Sequence, residues 1–376
     1  MDTPFSFGKV VTHGQDNFTD REKERERLMS NASNGVNTIL ISPRRWGKSS
    51  LVRTVAQDMS KEKKVLFCFI DLFKVNSQEE FLVMLATEVM KSTASKTDEV
   101  MEMMKTFFQK LTPKLSFTVD PTHDISISFD LKQVEENPNE VLELPQKIAG
   151  EKGVRIVVCI DEFQNFSDFD SNDAFQKKLR SVWQLQPDVT YFLYGSKRHM
   201  MNDIFHSSQR PFYRFGDVIN LPKIPADDLT DFVGSSFKKT KKSIAKKLAS
   251  RIVELMECHP YYVQQLAHLT WVRSNPKATE EILEASVDDL LNQNSMFYER
   301  EVELMSRTQI NFLKALVEGV QQFSSKRVLR DYDIGSSSNV VKIKSALTDR
   351  EIIDTLDGQV SFLDPAFELW FKKRMF

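Results

Sequence analysis

Cysteine is scarce in this chain of 376 residues. There are three, Cys68, Cys159 and Cys258, odd in number and far apart. That excludes a disulfide framework, and no Cys/His cluster has the spacing of a zinc site. Two of the three lie in apolar, strand-like runs, so buried thiols in a reducing cytoplasm are expected. Net charge is lacking too: 51 Lys and Arg against 53 Asp and Glu leave −2. This gives no global attraction to nucleic acid or to an anionic membrane. No apolar run approaches the length of a transmembrane helix, and the opening MDTPFSFGK lacks the apolar core of a signal peptide. What remains is a chain long enough for two or three domains, 41% apolar and 28% charged, the proportions of an ordinary soluble protein. Its 14 Met and 28 Phe are read as core filler.

The clearest chemistry lies in residues 36–56, VNTILISPRRWGKSSLVRTVA. A strand-like run at 36–41 leads into a tight loop, and a helical pattern of Leu51, Val52, Val55 and Met59 follows. A strand, loop and helix in this order can hold nucleotide phosphates. Backbone N–H groups of the loop and helix start form an anion nest, and the helix dipole favours negative charge there. Lys48 adds a point charge within reach of the β- and γ-phosphates, and the Ser49 hydroxyl is placed to ligate Mg²⁺. Pro43, Arg44, Arg45, Trp46, Gly47, Lys48, Ser49 and Ser50 make up the expected cradle. The pattern departs from G-x-x-x-x-G-K-[ST] at the first glycine, which is Ser42, while Gly47 is intact. A GKS tripeptide also opens ordinary serine-capped helices; the flanking strand and helix decide for phosphate binding.

A second anchor is 154–162, VRIVVCIDE, an apolar strand ending in adjacent carboxylates. In an enzyme with a phosphate loop, Asp161 would hold Mg²⁺ and Glu162 would orient and activate the attacking water. The run 64–71, KVLFCFID, reads as a buried parallel strand with Asp71 at its carboxyl end. A helix is expected at 78–91. A further strand, 190–196, ends in Ser196, the candidate to touch the γ-phosphate or the water, with Lys197 and Arg198 as charged neighbours. Arg210 and Arg214, in SSQRPFYRF, are candidates to stabilise transition-state charge, in cis or from another subunit. Pairing with nearby acids is an equal alternative for both. A last strand at 217–221 brings the sheet to about five. Residues 92–140 interrupt this rhythm with a Met-rich helical piece (100–110) and a β-hairpin of KLSFTVD and DISISFDL around Pro121. Before the phosphate loop, an aromatic N-terminal segment is expected to pack on the core, and a charged helix to run from Thr19 to about Met29.

From Ile224 the pattern turns helical. Ile244, Leu248, Ile252, Leu255 and Met256 mark one helix face that His259-Pro260 ends, and helices at 261–271 and 280–291 follow. The tail reads as helices at 306–318, 326–331 and 339–348, then strands at 351–356 and 359–362 around Asp357-Gly358. That is the pattern of a winged helix-turn-helix. In such DNA binders the third helix enters the major groove, and Asn339, Lys342, Lys344 and Arg350 are the side chains it would offer. Acids are as frequent as bases in this tail, so the basic footprint is slight.

With these pieces placed, FSFGKVVTHGQDNFTDREKE, SPRRWGKSSLV, VVCIDEFQNF, GSKRHMM, RPFYR, HPYYVQQLA and the winged-helix tail together resemble the archaeal-type ATPase family. That family lies in the AAA+ and STAND region of the P-loop NTPases, near the origin-recognition ATPases. The resemblance implies an α/β core at 1–224, with a parallel sheet of about five strands, helices on both faces and the insertion at about 92–140. An all-α lid at 225–300 and a winged helix at 301–376 would follow. It implies ATP and Mg²⁺ as ligands. Phe18 and Arg21, within 18–22, would flank the adenine. Lys48 and Ser49 would hold phosphate and Mg²⁺, with Asp161 and Glu162 in the acidic roles and Ser196 as sensor. His259-Pro260 would be the lid motif facing the nucleotide; Cys258 stands where related proteins carry glycine. Adenine rests on the resemblance, the guanine-reading Asn-Lys-x-Asp motif being absent. The expected function is a cytoplasmic ATP hydrolase acting as a nucleotide-driven switch on a protein partner, as a homo-oligomer if an arginine acts in trans. The alternatives are a winged-helix DNA-binding regulator or an interaction scaffold, with ATP as a structural ligand in either.

Overall fold

In a computed structural model of the chain, the described residues are 3–10, 21–60, 64–94, 99, 102–103, 116–119, 125–128, 138–169, 173–355 and 358–375. They form two compact units, one of Arg21–Pro222 and one of Lys223–Phe376 together with the N-terminal residues 3–10.

The first unit opens with helix α1, Glu22–Asn34, five residues longer at its end than the charge pattern indicates. Gly35 stops it: at φ 72° its N–H turns back to the Asn31 carbonyl. The strand β1, Thr38–Ile41, is buried along its whole length and leads through the phosphate loop into α2, Lys48–Met59. Strand β2 (Val65–Asp71) and helix α3 (Gln78–Thr93), capped by Ser77, follow. The hairpin expected in the insertion is present as β3, Ser116–Val119, antiparallel to β4, Ile125–Ser128. Most of the Met-rich piece at 100–110 lies outside the described residues. Helix α4 (Pro138–Lys152), strand β5 (Arg155–Asp161), helix α5 (Ala174–Trp183), strand β6 (Val189–Gly195), helix α6 (Arg198–His206) and strand β7 (Asp217–Asn220) complete the unit.

Five strands form one parallel sheet in the order β2-β5-β6-β1-β7. The chain leaves β1 for the far edge at β2, returns through β5 and β6, and ends on the other side of β1. The strand order therefore reverses beside β1, and the crevice at the carboxyl ends there is where open α/β sheets bind ligands. Ile39, Ile41, Val158, Ile160, Tyr191 and Leu193 belong to the core cluster shared with α3, α4, α5 and α6. The alternate residues Leu40, Val157, Cys159, Phe192 and Tyr194 are buried as well. Both faces are thus covered, which is why these strands read as unbroken apolar runs.

The second unit is built from α7 (Ala226–Lys239), α8 (Lys246–Leu255), α9 (Pro260–Arg273), α10 (Glu280–Glu303), α11 (Arg307–Val317), α12 (Lys326–Asp331) and α13 (Ser337–Asp349). A strand pair, β8 (Ile353–Asp354) and β9 (Ser361–Phe362), and a last helix, α14 (Pro365–Met375), end it. Helix α10 runs on to Glu303, past the expected end at Leu291, because nothing between them breaks a helix. The two strands are two residues each, shorter than the runs read at 351–356 and 359–362, and Asp357 of the expected turn lies outside the described residues. Helix α14 has no counterpart in the sequence reading, although Phe367, Trp370 and Phe371 are all buried. Phe5 packs in this core, edge-on to Phe232 and Phe237.

Candidate functional site

The phosphate loop closes on itself. Gly47 takes φ 91°, and a Cβ built there would meet no atom within 4 Å, so the loop backbone has open space on that side. Lys48 is 5% exposed, and its Nζ donates to the carbonyls of Ser42 at 3.0 Å and Pro43 at 3.1 Å. Ser42, in place of the first glycine, is fully buried and supplies one of those carbonyls, so the loop keeps its turn without glycine there. Trp46 is buried as well, while Arg44 and Arg45 are exposed.

At the end of β5 the two adjacent carboxylates part. Asp161 Oδ2 accepts from Ser49 Oγ at 2.7 Å, and its Oδ1 accepts from the Glu162 backbone N–H at 2.9 Å. Glu162 leaves the strand in the left-handed region, φ 53°, and swings its side chain toward β6. Its Oε2 accepts from Ser196 N at 3.1 Å, from Ser196 Oγ at 2.7 Å and from Gln164 Nε2 at 2.5 Å. Aromatic packing fixes that turn. Phe163 lies 5.0 Å from Phe166, 5.4 Å from Phe205 and 5.2 Å from Phe212, ring to ring.

These surroundings push the two acids apart. Burial raises the Asp161 carboxyl to about 6; the Glu162 charge adds to this, against the Ser49 hydrogen bond and the Lys48 charge. Burial also acts to raise Glu162, but the Lys48 charge and the bonds from Gln164 and Ser196 outweigh it and hold that carboxyl below the ordinary glutamate value. Of the residues expected at a hydrolytic site, the structure therefore brings together Lys48, Ser49, Asp161, Glu162 and Ser196. Gln164 was not among them. A glutamine between Phe163 and Phe166, two residues after the acidic pair, was its only sequence signal.

The family described as an ATPase domain predominantly from Archaea matches residues 18–266, more than half of the chain. The chain belongs to this archaeal ATPase family. No curated protein matches its sequence. Among solved structures, the Walker-type ATPase of Pyrococcus abyssi is similar at TM-score 0.67 and 18% identity, over 96% of this chain and 98% of that one. The Aeropyrum pernix ORC2 protein in ADPNP–ADP complexes is similar at TM-score 0.54 and 13% identity, over 99% of both chains. The ORC1 protein of the same organism, in complex with DNA, is similar at 0.50 and 12%, over 100% of this chain and 99% of that one. At such identities the likeness is one of fold.

The other expected residues of this archaeal-type ATPase are placed as follows. Phe18 lies outside the described residues. Arg21 is buried before α1 at φ 79°, its Nη1 donating to the Pro222 carbonyl at 2.7 Å. Ser50 lies in the first turn of α2, and Arg198 opens α6. Arg210 is held by two carboxylates, donating to Asp203 through Nε at 2.8 Å and to Asp173 through Nη1 at 2.8 Å, the acid pairing read as its alternative. Arg214 is exposed, its guanidinium 5.2 Å from the Tyr213 ring centre.

In the second unit, His259 precedes α9 and Pro260 is its first residue; both are buried. Cys258 adopts φ 58°, the left-handed conformation a glycine would supply. On α13, Asn339 Nδ2 donates to the Ile334 carbonyl at 2.7 Å, and Lys344 Nζ sits 5.3 Å from the Phe323 ring centre. Arg350 is not offered outward: it pairs with Glu301 at 2.7 Å and is 27% exposed. Lys342 is exposed.

Proposed function

We propose that this chain binds Mg·ATP at the loop 42–50 and hydrolyses it to ADP and phosphate with Glu162 as general base, as a nucleotide-driven conformational switch. The observation that carries the reading is the hydrogen-bonded arrangement of Ser49, Asp161, Glu162 and Ser196 at the carboxyl ends of β1, β5 and β6, with the Lys48 charge acting on both carboxylates. A phosphate chain on the loop would meet the backbone N–H groups of 47–50, and the Lys48 ammonium would exchange its carbonyl partners for phosphate oxygens.

The donors suit Mg²⁺. Ser49 and Asp161 offer two hard oxygens already within hydrogen-bond distance of each other. Among the described residues no cluster of three His, Cys, Asp or Glu side chains is placed to cage a metal. An ion completed by phosphates and waters fits that pattern. Bound there, it would supply charge neutralisation on the phosphates. Glu162, held ionised, would take a proton from the attacking water as the new P–O bond forms. The bond between the γ-phosphorus and the β–γ bridging oxygen would break, and ADP would leave with its electron pair.

Glu162→Gln is the direct test. It keeps the volume and the bonds to Ser196 within reach, so Mg·ATP binding is expected to persist while turnover falls by about 10²-fold or more. Unchanged phosphate release would remove Glu162 from the mechanism. A switch also requires ATP to favour one arrangement of the chain by differential contact.

A further inference from the structure

Gln164 is 1% exposed, in a setting where an aliphatic side chain would pack as well. Its Nε2 donates to Glu162 Oε2 at 2.5 Å, but its Oε1 is buried with no hydrogen-bond partner among the described residues. An unmet buried acceptor is a standing penalty, so packing alone does not account for an amide here. The backbone makes room for it. Gly195, at the end of β6, has no Cβ, and one built there would lie 2.0 Å from Gln164 Oε1.

The bonds on Glu162 are also one-sided. Gln164 Nε2, Ser196 N and Ser196 Oγ all end on Oε2, and among the described residues Oε1 accepts none. Three donors from two directions fix the carboxylate plane. One comes from the turn that follows Glu162 itself, the other two from the tip of β6. The oxygen left as an acceptor is Oε1.

We propose that Gln164 is the positioning residue for Glu162: with Ser196 it fixes the carboxylate through Oε2, so that Oε1 is the oxygen presented to the attacking water. This rests on the reading of Glu162 as the base. Gln164 touches neither water nor phosphate in this scheme; it acts only through the orientation of its neighbour.

The test compares full-length wild type, Gln164→Met, Gln164→Glu and Glu162→Gln for steady-state ATP hydrolysis and for thermal stabilisation by Mg·ATP. Gln164→Met keeps length and apolar packing without the donor. Gln164→Glu keeps the shape and turns the donor into an acceptor, so the test stands where the Met variant folds poorly. In both Gln164 variants kcat is expected to fall about tenfold or more, with KM within about twofold of wild type and the Mg·ATP stabilisation retained. Wild-type kcat in both, with Glu162→Gln inactive, would overturn the role of Gln164 and leave the base in place. A loss of KM and of nucleotide stabilisation together with kcat would make Gln164 a residue of the fold only, and would also overturn the proposal. Wild-type turnover by Glu162→Gln, or no turnover by wild type, would overturn the base assignment and the role of Gln164 with it.

Discussion

Two adjacent carboxylates with opposite shifts define the site at the scale of single residues. Asp161 stays at the strand end, half-buried, with Ser49 as its side-chain donor, and is raised to about 6. Glu162 turns out of the strand at φ 53° and finds Lys48, Gln164 and Ser196, which hold it low. Two like groups in adjacent positions are thus shifted in opposite directions because their surroundings differ, not their chemistry. Gly195 leaves the room that arrangement needs. A Cβ there would lie 2.0 Å from Gln164 Oε1 and 2.6 Å from Met201 Sδ. Gly195→Ala is therefore expected to cost about 1–3 kcal/mol in urea unfolding, because both neighbours must move. An unchanged midpoint would show that the pocket yields more easily than its packing implies.

Lys48, Ser49, Asp161, Glu162 and Ser196 were legible in the sequence because each follows an apolar run at a fixed offset, and strand ends converge in a parallel sheet. The bond from Gln164 to Glu162 was not, although the two are only two residues apart: it needs the left-handed turn at Glu162, which no local pattern marks. Acid pairing was read as an alternative for Arg210, but its partners Asp173 and Asp203 were not named.

Among elements, the second unit turns on a half-buried acid before α14. Asp364 accepts from the hydroxyls of Tyr262 on α9 and Tyr298 on α10, the latter at 3.2 Å, and from the N–H groups of Ala366 and Phe367 at 2.9 Å each. It thus ties three helices together at one carboxylate. Asp364→Ala would leave two tyrosine hydroxyls and a helix start without their acceptor, so a loss of about 2–4 kcal/mol is expected by chemical denaturation. One turn later, burial, with the neighbouring Glu257 carboxylate, raises Glu368 to about 7, against the Lys372 and Lys223 charges. Between its ordinary value of 4.5 and about 7, the folded chain holds a proton that the unfolded chain lacks. The stability this gives is complete below the lower value and is lost as pH rises through the upper one. Glu368→Gln should therefore be more stable relative to wild type at pH 8 than at pH 5, by about 1 kcal/mol after solvent screening. An equal difference at both pH values would contradict the shift.

Helix α14 escaped the sequence reading, and α10 was read too short, for related reasons. Apolar residues on both elements bind them to partners distant in sequence, and neither end of the longer helix is marked by glycine or proline. Lys326–Asp331, bounded by a serine cap, was read with its limits as found.

For the whole molecule, the strand order β2-β5-β6-β1-β7 places the acidic strand two positions from the strand that feeds the phosphate loop, with β6 between them. Ser196, just past the end of β6, therefore meets the Glu162 carboxylate from the neighbouring strand. No helix of the described residues is long and apolar enough to cross a membrane.

A nucleotide site built on Lys48 should be visible in thermal unfolding of wild type and Lys48→Ala with and without Mg·ATP. A ligand at about 100 times its dissociation constant stabilises a fold by about 2.7 kcal/mol. Wild type should show a clear upward shift on adding nucleotide that Lys48→Ala loses, each protein being read against its own midpoint without nucleotide, since Lys48→Ala also leaves the Ser42 and Pro43 carbonyls without their donor. No shift in wild type, or an equal shift in both proteins, would contradict it.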